Sequence, residues 1–247
     1  SSRRAHVPLR EQFVAQKLRR PMGVGRTLRA IKLSGREFPV EISLAPTQTS
    51  AVTRVPWNDS VVVKRVLDAG ATTVMFPMIQ TADQAISAVQ STRYPPEGVR
   101  GVAAVHRASR YGAWSDYLQA CEEELCVIVQ VETPTAFEQL DSIAAVRAVD
   151  AVFIGPGDLA ACSGHLGNPL HPDVQRAIKA APAIIHAQSK KAGILAPNID
   201  IAKQYAGFGF DFVAVASDVA AITATMRSHL TQWGRVTASQ STTAVGY

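Results

Sequence analysis

A chain of 247 residues with a net charge of +5 is long enough for one α/β barrel or for two small domains. Its hydrophobic fraction of 47% is ordinary for a protein with a full core, and no apolar run approaches the roughly 18 residues that a membrane helix needs. The composition excludes a membrane-spanning helix. Because the first residues also lack an apolar signal region, we expect a soluble, cytoplasmic protein.

The positive charge is concentrated in the first fifth of the chain. Residues 1–50 carry 10 Lys and Arg against 3 acids, whereas residues 51–247 carry 15 against 17. A basic arm can bind nucleic acid or an anionic surface, but this one lacks interleaved aromatic residues and any nucleic-acid motif. We therefore expect neither a nucleic-acid nor a membrane partner, and we interpret residues 1–45 as an atypical basic segment that is non-native or disordered.

The first 50 residues show an irregular pattern. Helical spacing occurs around residues 9–19 and 26–33, and Pro39–Leu44 is one candidate strand. None of these stretches is an apolar run that stops abruptly at polar residues, which is the pattern that the rest of the chain repeats.

From residue 51 onward, strands and helices are predicted to alternate. The strands fall at 51–55, 73–77, 126–131, 150–154, 192–196 and 211–215, and the helices at 60–69, 82–92, near 115–123, 133–145, 172–190, 199–206 and 218–231. Such alternation predicts an α/β fold with a parallel sheet covered by helices. Six units are visible where a (β/α)8 TIM barrel requires eight, so the other two would come from residues 1–50. We assign the barrel to residues 46–233 and expect the Ser/Thr/Gly-rich tail at 234–247 to be disordered.

Two carboxylates follow two neighbouring strands of this predicted sheet. Glu132 comes directly after the apolar run 127–131, and Asp158 follows the run 151–154 after the tight turn Gly155–Gly157. A helical stretch connects the two runs. A strand, a helix and a second parallel strand form a right-handed crossover, so both strand ends lie at the same edge of the sheet. The sequence therefore predicts that the two carboxylates converge.

A pair of carboxylates at a rigid edge can hold a hard divalent cation or act as general acid and base. We favour the metal, because the backbone N–H groups of the Gly-Pro-Gly turn would suit an anionic ligand that bridges to it. A purely structural alternative remains open, in which Glu132 and Asp158 each cap a helix.

Other reactive side chains show no pattern of their own. The three cysteines lack ligand spacing, and we interpret them as reduced packing residues: Cys121, Cys126 and Cys162. Five lysines of the regular region fall in predicted helices or at their ends: Lys64, Lys179, Lys190, Lys191 and Lys203. A Schiff-base enzyme needs a desolvated lysine at a strand end, so this distribution weighs against one.

Several motifs of residues 51–232 resemble those of a known family. They are TRVPWND at 53–59, FPMIQTADQA at 76–85, STRYPPEGVRGV at 91–102, HRASRYG at 106–112, VQVET at 129–133, GPGDL at 155–159, GHLGNPLHPDVQ at 164–175, GILAPN at 193–198 and FVAVASD at 212–218. In this order they are similar to the HpcH/HpaI aldolases, the class II pyruvate aldolases. Within that family the motif sequences are similar to those of the 2-dehydro-3-deoxyglucarate and 4-hydroxy-2-oxoheptanedioate aldolases.

The resemblance implies a role for each matching residue. Glu132 and Asp158 would bind the metal, which would be Mg²⁺ or Mn²⁺, with Co²⁺ as a further option. Arg54 would bind the pyruvyl oxygen and stabilise the enolate, and Gln130 would lie beside the metal and a catalytic water. Substrate-binding residues implied in the same way are Gly155, Pro156, Gly157 and Leu195.

The implied activity is reversible cleavage of a 2-oxo-3-deoxy or 4-hydroxy-2-oxo diacid to pyruvate and an aldehyde such as tartronate semialdehyde. Family members place their base in a DGEH or DTEH motif about 25 residues before the arginine. Counting back from Arg54 reaches Arg29, where no such motif occurs, and His106 lies on a predicted rim loop that would meet substrate or a neighbouring subunit. Two alternatives stay open: a homologue impaired by the missing histidine, and a citrate lyase β-like CoA-ester lyase.

The last predicted helix, at 218–231, has an apolar face formed by Val219, Ile222, Met226 and Leu230. In the resembled family a terminal helix is exchanged between subunits. The resemblance therefore implies a homo-oligomer, a hexamer built as a trimer of dimers.

Overall fold

The computed structural model describes residues 50–215 and 217–234, together with the backbone of two short strands before them. The chain divides into two compact units, Ser1–Ala51 and Val52–Tyr247. The expected helix at 9–19, most of the 1–45 segment and nearly all of the 234–247 tail lie outside the described residues.

The first unit contains an antiparallel pair of strands. Strand β1 (Leu28–Ile31) pairs with β2 (Glu37–Val40), with Leu28 opposite Val40. The helix predicted around residues 26–33 is therefore wrong, because a short apolar run of this length fits a strand as well as a helix and its period cannot decide. The strand predicted at Pro39–Leu44 is confirmed only at its first two residues.

The second unit is built on one parallel sheet of six strands, in the same order as in the sequence. They are β3 (Val52–Arg54), β4 (Thr73–Phe76), β5 (Cys126–Val131), β6 (Ala151–Ile154), β7 (Lys191–Ala196) and β8 (Phe212–Val215). All six strands were predicted from the sequence, and together they curl into a half-barrel. The α/β class with a parallel sheet is therefore confirmed.

Nine α-helices connect or flank these strands within the described residues. They are α1 (Ser60–Asp68), α2 (Ala82–Thr92), α3 (Tyr117–Ala120), α4 (Pro134–Glu138), α5 (Leu140–Ala144), α6 (Pro156–Cys162), α7 (Pro172–Ala187), α8 (Ile199–Gly207) and α9 (Asp218–Gln232), with 3₁₀ turns at Arg110–Gly112 and Cys121–Glu124. The helix predicted at 133–145 is broken at Gln139, where the backbone leaves the helical region (φ −104°, ψ 11°). None of the described helices has the length and apolar character needed to cross a bilayer.

Most helix starts are fixed by a side chain that accepts backbone N–H groups of the first turn. Asp59, Thr81, Thr133, Asn198 and Ser217 cap α1, α2, α4, α8 and α9 in this way. Each cap is worth about 0.5–2 kcal/mol, because it satisfies donors that the helix cannot pair internally. These caps fix the points at which the chain leaves the sheet edge.

The strands of the sheet present two different faces. On β5, Val127, Val129 and Val131 point outward into the main core under the helices, whereas Ile128 and Gln130 point to the concave face. An inner cluster of Met75, Ile128, Ala151 and Phe153 fills part of that face, and by register Arg54 lies beside Met75. The polar groups of the concave face are thus held on a packed apolar floor.

Candidate active site

Glu132 and Asp158 meet at the C-terminal edge of the sheet. Glu132 directly follows β5 and is only 2% exposed, whereas Asp158 is the third residue of α6 and is exposed. Their carboxyl groups lie within hydrogen-bonding reach of each other. The predicted convergence is confirmed, and it combines one buried carboxyl group with one that solvent can reach.

The Glu132 carboxyl group is held by one donor from the loop after β4 and one from β5. The backbone N–H of Met78 donates to Oε1 at 3.0 Å, and the Nε2 atom of Gln130 donates to Oε2 at 2.8 Å. The Oε1 atom of Gln130 is buried and has no hydrogen-bond partner within the described residues. The pair therefore leaves one acceptor beside Glu132 free for another group.

Gly155 allows the two carboxylate-bearing segments to approach each other. A Cβ atom at this position would lie 2.4 Å from Oε2 of Glu132, closer than real Cβ contacts come. The Gly155 N–H also donates to the Val131 carbonyl at 3.2 Å, which holds the segment against β5.

We expected Gly155–Gly157 to form a tight turn, and this is wrong: Gly155 is the residue before α6 and Pro156 is its first residue. Proline is suited to that position because its fixed φ fits the helix and its missing N–H is not needed there.

The carboxyl pair is electrostatically crowded. Burial, together with the hydrogen bond and the charge of Asp158, raises the pKa of the Glu132 carboxyl group to about 7. The Met78 N–H and the Arg54 guanidinium favour the ionised form but do not offset those effects. A further charged group beside this pair would therefore stabilise the ionised carboxylates only if its charge were positive.

Arg54 and Leu195 lie on the same concave face as Gln130. Arg54 ends β3, is exposed, and is near enough to Glu132 for its charge to act on that carboxyl group. Leu195 lies in β7, two strands from Glu132, and is 41% exposed. The structure thus places every residue implied by the resemblance at the C-terminal edge or on the concave face.

The sequence pattern of the HpcH/HpaI aldolase/citrate lyase family matches residues 40–224. The chain belongs to this family. It is 48% identical over 177 residues to a 4-hydroxy-2-oxo-heptane-1,7-dioate aldolase of Escherichia coli, which covers 71% of this chain and 68% of the relative. It is 44% identical over 182 residues to the 5-keto-4-deoxy-D-glucarate aldolase of Klebsiella pneumoniae, which covers 74% of this chain and 71% of the relative.

A solved structure agrees with these sequence relatives. An HpcH/HpaI aldolase/citrate lyase family protein from Burkholderia cenocepacia superposes with a TM-score of 0.72 at 42% identity, over 74% of this chain and 73% of that one. The predicted family is confirmed. The relatives' names support a lyase of the aldolase kind.

Met78 is a site residue that the sequence did not reveal. Its φ of 54° lies in the left-handed region, which a side chain with a Cβ rarely adopts. This conformation aims its N–H at Glu132, while the next residue, Ile79, donates to the Gln130 carbonyl at 3.0 Å. No feature of a methionine within an apolar segment predicts such a backbone.

The structure places His106 away from this site. Its side chain is 9% exposed, its ring packs edge-on against Tyr117, and its Nε2 lies 3.7 Å from Asp68. Asp68 is the last residue of α1, which runs back to the N-terminal edge where β4 begins. The interpretation of His106 as a rim residue that meets substrate is therefore wrong, because it lies at the opposite edge.

The donor set at the carboxyl pair fits a hard divalent cation. The two carboxyl groups supply oxygen atoms, which are the ligands that Mg²⁺ and Mn²⁺ prefer. The buried Oε1 of Gln130, which has no partner within the described residues, leaves an acceptor for a water molecule beside them. Helix capping does not account for the pair: Thr133 caps α4, and Asp158 lies inside α6 instead of before it.

Proposed function

We propose that this chain is a metal-dependent class II aldolase that cleaves a 2-oxo-3-deoxy or 4-hydroxy-2-oxo diacid reversibly to pyruvate and an aldehyde. The observation that carries the proposal is the meeting of a buried Glu132 with an exposed Asp158 beside the Arg54 guanidinium. Relatives named as aldolases of a heptanedioate and of a keto-deoxy glucarate support the substrate class, since both are diacids.

Glu132 and Asp158 would hold Mg²⁺ or Mn²⁺, with Co²⁺ as a further option. When bound, the cation supplies Lewis-acid chemistry by polarising the 2-oxo group of the substrate. Glu132 must be ionised for this, and the Met78 N–H and Gln130 amide hold its two oxygens in place. Gln130 keeps its free Oε1 for a water molecule at the site.

Arg54 would stabilise the charge that develops during cleavage. When the C3–C4 bond breaks, its electrons pass into the 2-oxo group and give the enolate of pyruvate. A guanidinium can donate two parallel hydrogen bonds to such an oxygen or to the adjacent carboxylate. The first-turn amides of α6 at Gly157 and Asp158 have no acceptor within the helix and would bind the substrate carboxylate, while Leu195 would line the pocket.

The proposed site lacks an identified group for proton transfer. Aldol cleavage needs a base for the C4 hydroxyl proton, and the sequence lacks the family's DGEH or DTEH motif. Water would then take the proton, with a rate lower by about 10²- to 10⁴-fold than a general base gives. A catalytically impaired homologue was the alternative expected from the sequence, but the relatives named as aldolases, at 44–48% identity, do not favour it.

Two further properties belong to this proposal. The eight-stranded barrel expected from the sequence needs two strands more than the six of the parallel sheet. A homo-oligomer, with a trimer of dimers as the form implied by the resemblance, would cover α9, on which Val219, Ile222, Met226 and Leu230 are all exposed. Light scattering at micromolar concentration should show the oligomer, and truncation after Ser217 should dissociate it.

Measuring binding and turnover separately tests the proposed metal and pyruvate site. Calorimetry should show that oxalate, an analogue of the pyruvate enolate, binds the full-length protein only with Mg²⁺ or Mn²⁺ present. Arg54→Ala should abolish this binding, whereas Arg65→Ala, an exposed arginine on α1, should leave it unchanged.

The two rates test the missing base. Oxaloacetate decarboxylation needs no proton abstraction and should be less impaired than aldol cleavage, measured on the same preparation. Fast aldol turnover would show that another residue serves as the base. Failure to bind oxalate with metal present would contradict the proposed function.

A further inference from the structure

A second group of metal-binding side chains lies in the segment that joins α6 to α7. His165 lies in the connecting loop, His171 is the residue before α7, and Asp173 is in its first turn. One ligand atom from each residue lies within 4.8 Å of the other two. This group is separate from the carboxyl pair and contains nitrogen donors, which the pair lacks.

Among the described residues, the side chains of His165, His171 and Asp173 face one another without a hydrogen bond that joins any two of them. His165 Nε2 and His171 Nδ1 lie 3.8 and 3.6 Å from the same Asp173 oxygen, Oδ2, and both distances exceed a hydrogen bond. The two imidazole rings are stacked with centroids 3.4 Å apart and planes 15° from parallel. The other Asp173 oxygen, Oδ1, accepts from Arg176 at 2.9 Å, which fixes the carboxylate with Oδ2 toward the histidines.

The spacing of the three atoms suits a shared cation. Metal–ligand distances of about 2.0–2.2 Å place neighbouring ligand atoms roughly 3.3 Å apart in a tetrahedral shell. The two stacked rings would have to turn apart for the lone pairs of both to point at one ion. His171 Nδ1 accepts the Asp173 N–H at a long 3.3 Å, and a cation bound at this nitrogen would replace that hydrogen bond. The histidine side chains are 27% and 31% exposed, so solvent could supply the remaining ligand.

The backbone that carries the ligands is held by hydrogen bonds. The His165 N–H donates to the Ala160 carbonyl of α6 at 2.8 Å, and the His171 N–H donates to the Asn168 carbonyl at 3.1 Å. Gln175 of α7 donates to both the Pro169 carbonyl and the Tyr205 hydroxyl at 2.9 Å. A loop tied at both ends presents its ligands with little entropy left to lose, which favours binding.

We propose that His165, His171 and Asp173 bind a divalent cation of the borderline class, with Zn²⁺ as the best match. Two imidazoles and one carboxylate suit Zn²⁺ or Co²⁺, whereas Mg²⁺ prefers an all-oxygen shell. The bound ion would tie the end of α6 to the start of α7 and so brace the segment that carries Asp158. It would be a structural site and would not take part in the aldol reaction.

Calorimetric titration of chelator-treated, full-length protein tests the site. Zn²⁺ should bind with one equivalent at these residues in the presence of saturating Mg²⁺, and also in a Glu132→Gln/Asp158→Asn double variant if that variant folds. His165→Asn and His171→Asn should each weaken this binding by more than the roughly 10- to 100-fold that an outer partner of a ligand contributes. Asn at 171 can still cap α7, which separates loss of the imidazole from loss of the cap.

His229→Asn is the matched control, because His229 is an exposed histidine on α9, and it should leave Zn²⁺ binding unchanged. Cobalt gives a second readout: Co²⁺ bound to imidazoles in a tetrahedral shell should show visible absorption that His165→Asn removes. Zn²⁺ binding that survives both His→Asn changes, or displacement of Zn²⁺ by equal Mg²⁺, would overturn the proposal. Because oxalate binding in the presence of Mg²⁺ should survive His165→Asn, failure here is distinguishable from failure of the proposed function.

Discussion

The pKa values of acids are shifted in opposite directions at the two edges of the sheet. At the N-terminal edge, Asp211 accepts from the Ala192 N–H at 2.8 Å, from Lys191 at 2.9 Å and from His186, which together lower its pKa to about 2 against the effect of burial. At the C-terminal edge, burial and Asp158 raise the pKa of Glu132 to about 7.

Asp68 repeats the behaviour of the N-terminal edge. Burial alone would raise its pKa, but hydrogen bonds from Lys64 and from the fully buried Arg100 lower it. An acid surrounded by cations stabilises the fold. Two acids side by side destabilise it, so such a pair is expected where it serves a function. The contrast therefore separates an edge where charges stabilise the fold from the edge where we propose a cation site.

The largest expected effect comes from adding one methyl group at the crowded edge. Gly155→Ala would drive a Cβ into Oε2 of Glu132, so the carboxyl group or α6 must move. A displacement of about 1 Å at a reacting centre can cost roughly 100-fold, and we expect that loss in kcat/KM for oxaloacetate decarboxylation. Gly207→Ala is the control, since nothing lies within 4 Å of the added atom. Equal activity in the two variants would show that the close approach has no role.

A substitution at the N-terminal edge should lower the stability of the protein without changing its affinity for metal. Asp211→Asn removes an ionised acceptor, and we expect the free energy of unfolding to fall by about 1.5–3 kcal/mol in denaturant titration. Because its folded pKa is below the ordinary 3.8, the contribution of Asp211 is complete above pH 4 and is lost as the pH falls through 2. Asp116→Asn, where the side chain makes no cap hydrogen bond, is the control. A loss of Mn²⁺ affinity in Asp211→Asn would contradict the separation of the edges.

The smallest expected effect concerns the backbone that holds Glu132. Met78→Val places a β-branched residue at φ 54°, which should cost about 1–2 kcal/mol and weaken Mn²⁺ binding by several-fold as the N–H shifts away from Oε1. Met78→Gly adopts this conformation freely and should bind Mn²⁺ like the parent protein. If both variants behave alike in calorimetry, the left-handed conformation is not what positions Glu132.

The parts of the molecule that the sequence predicted are those set by local rules. Six strands follow from short runs rich in apolar and β-branched residues, and the meeting of Glu132 with Asp158 follows because neighbouring parallel strands end at one edge. Strand β1 was missed because a run of four residues has no decisive period. His106 packs near Asp68, in a distant part of the sequence, and no pattern in the sequence encodes such a contact.

In the proposed function, Glu132 and Asp158 form a pair that loses a proton when it binds a divalent cation. The most direct test is calorimetric titration of Mn²⁺ at pH 6 and pH 8, in a His165→Asn background so that the second cluster does not contribute. With a pKa of about 7, Glu132 is mostly protonated at pH 6, so the affinity should be about tenfold higher at pH 8. Glu132→Gln and Asp158→Asn should each cause a large loss of affinity, and Glu132→Gln should remove the pH dependence. A Mn²⁺ affinity that is equal at both pH values, or unchanged in either variant, would contradict this role of the pair.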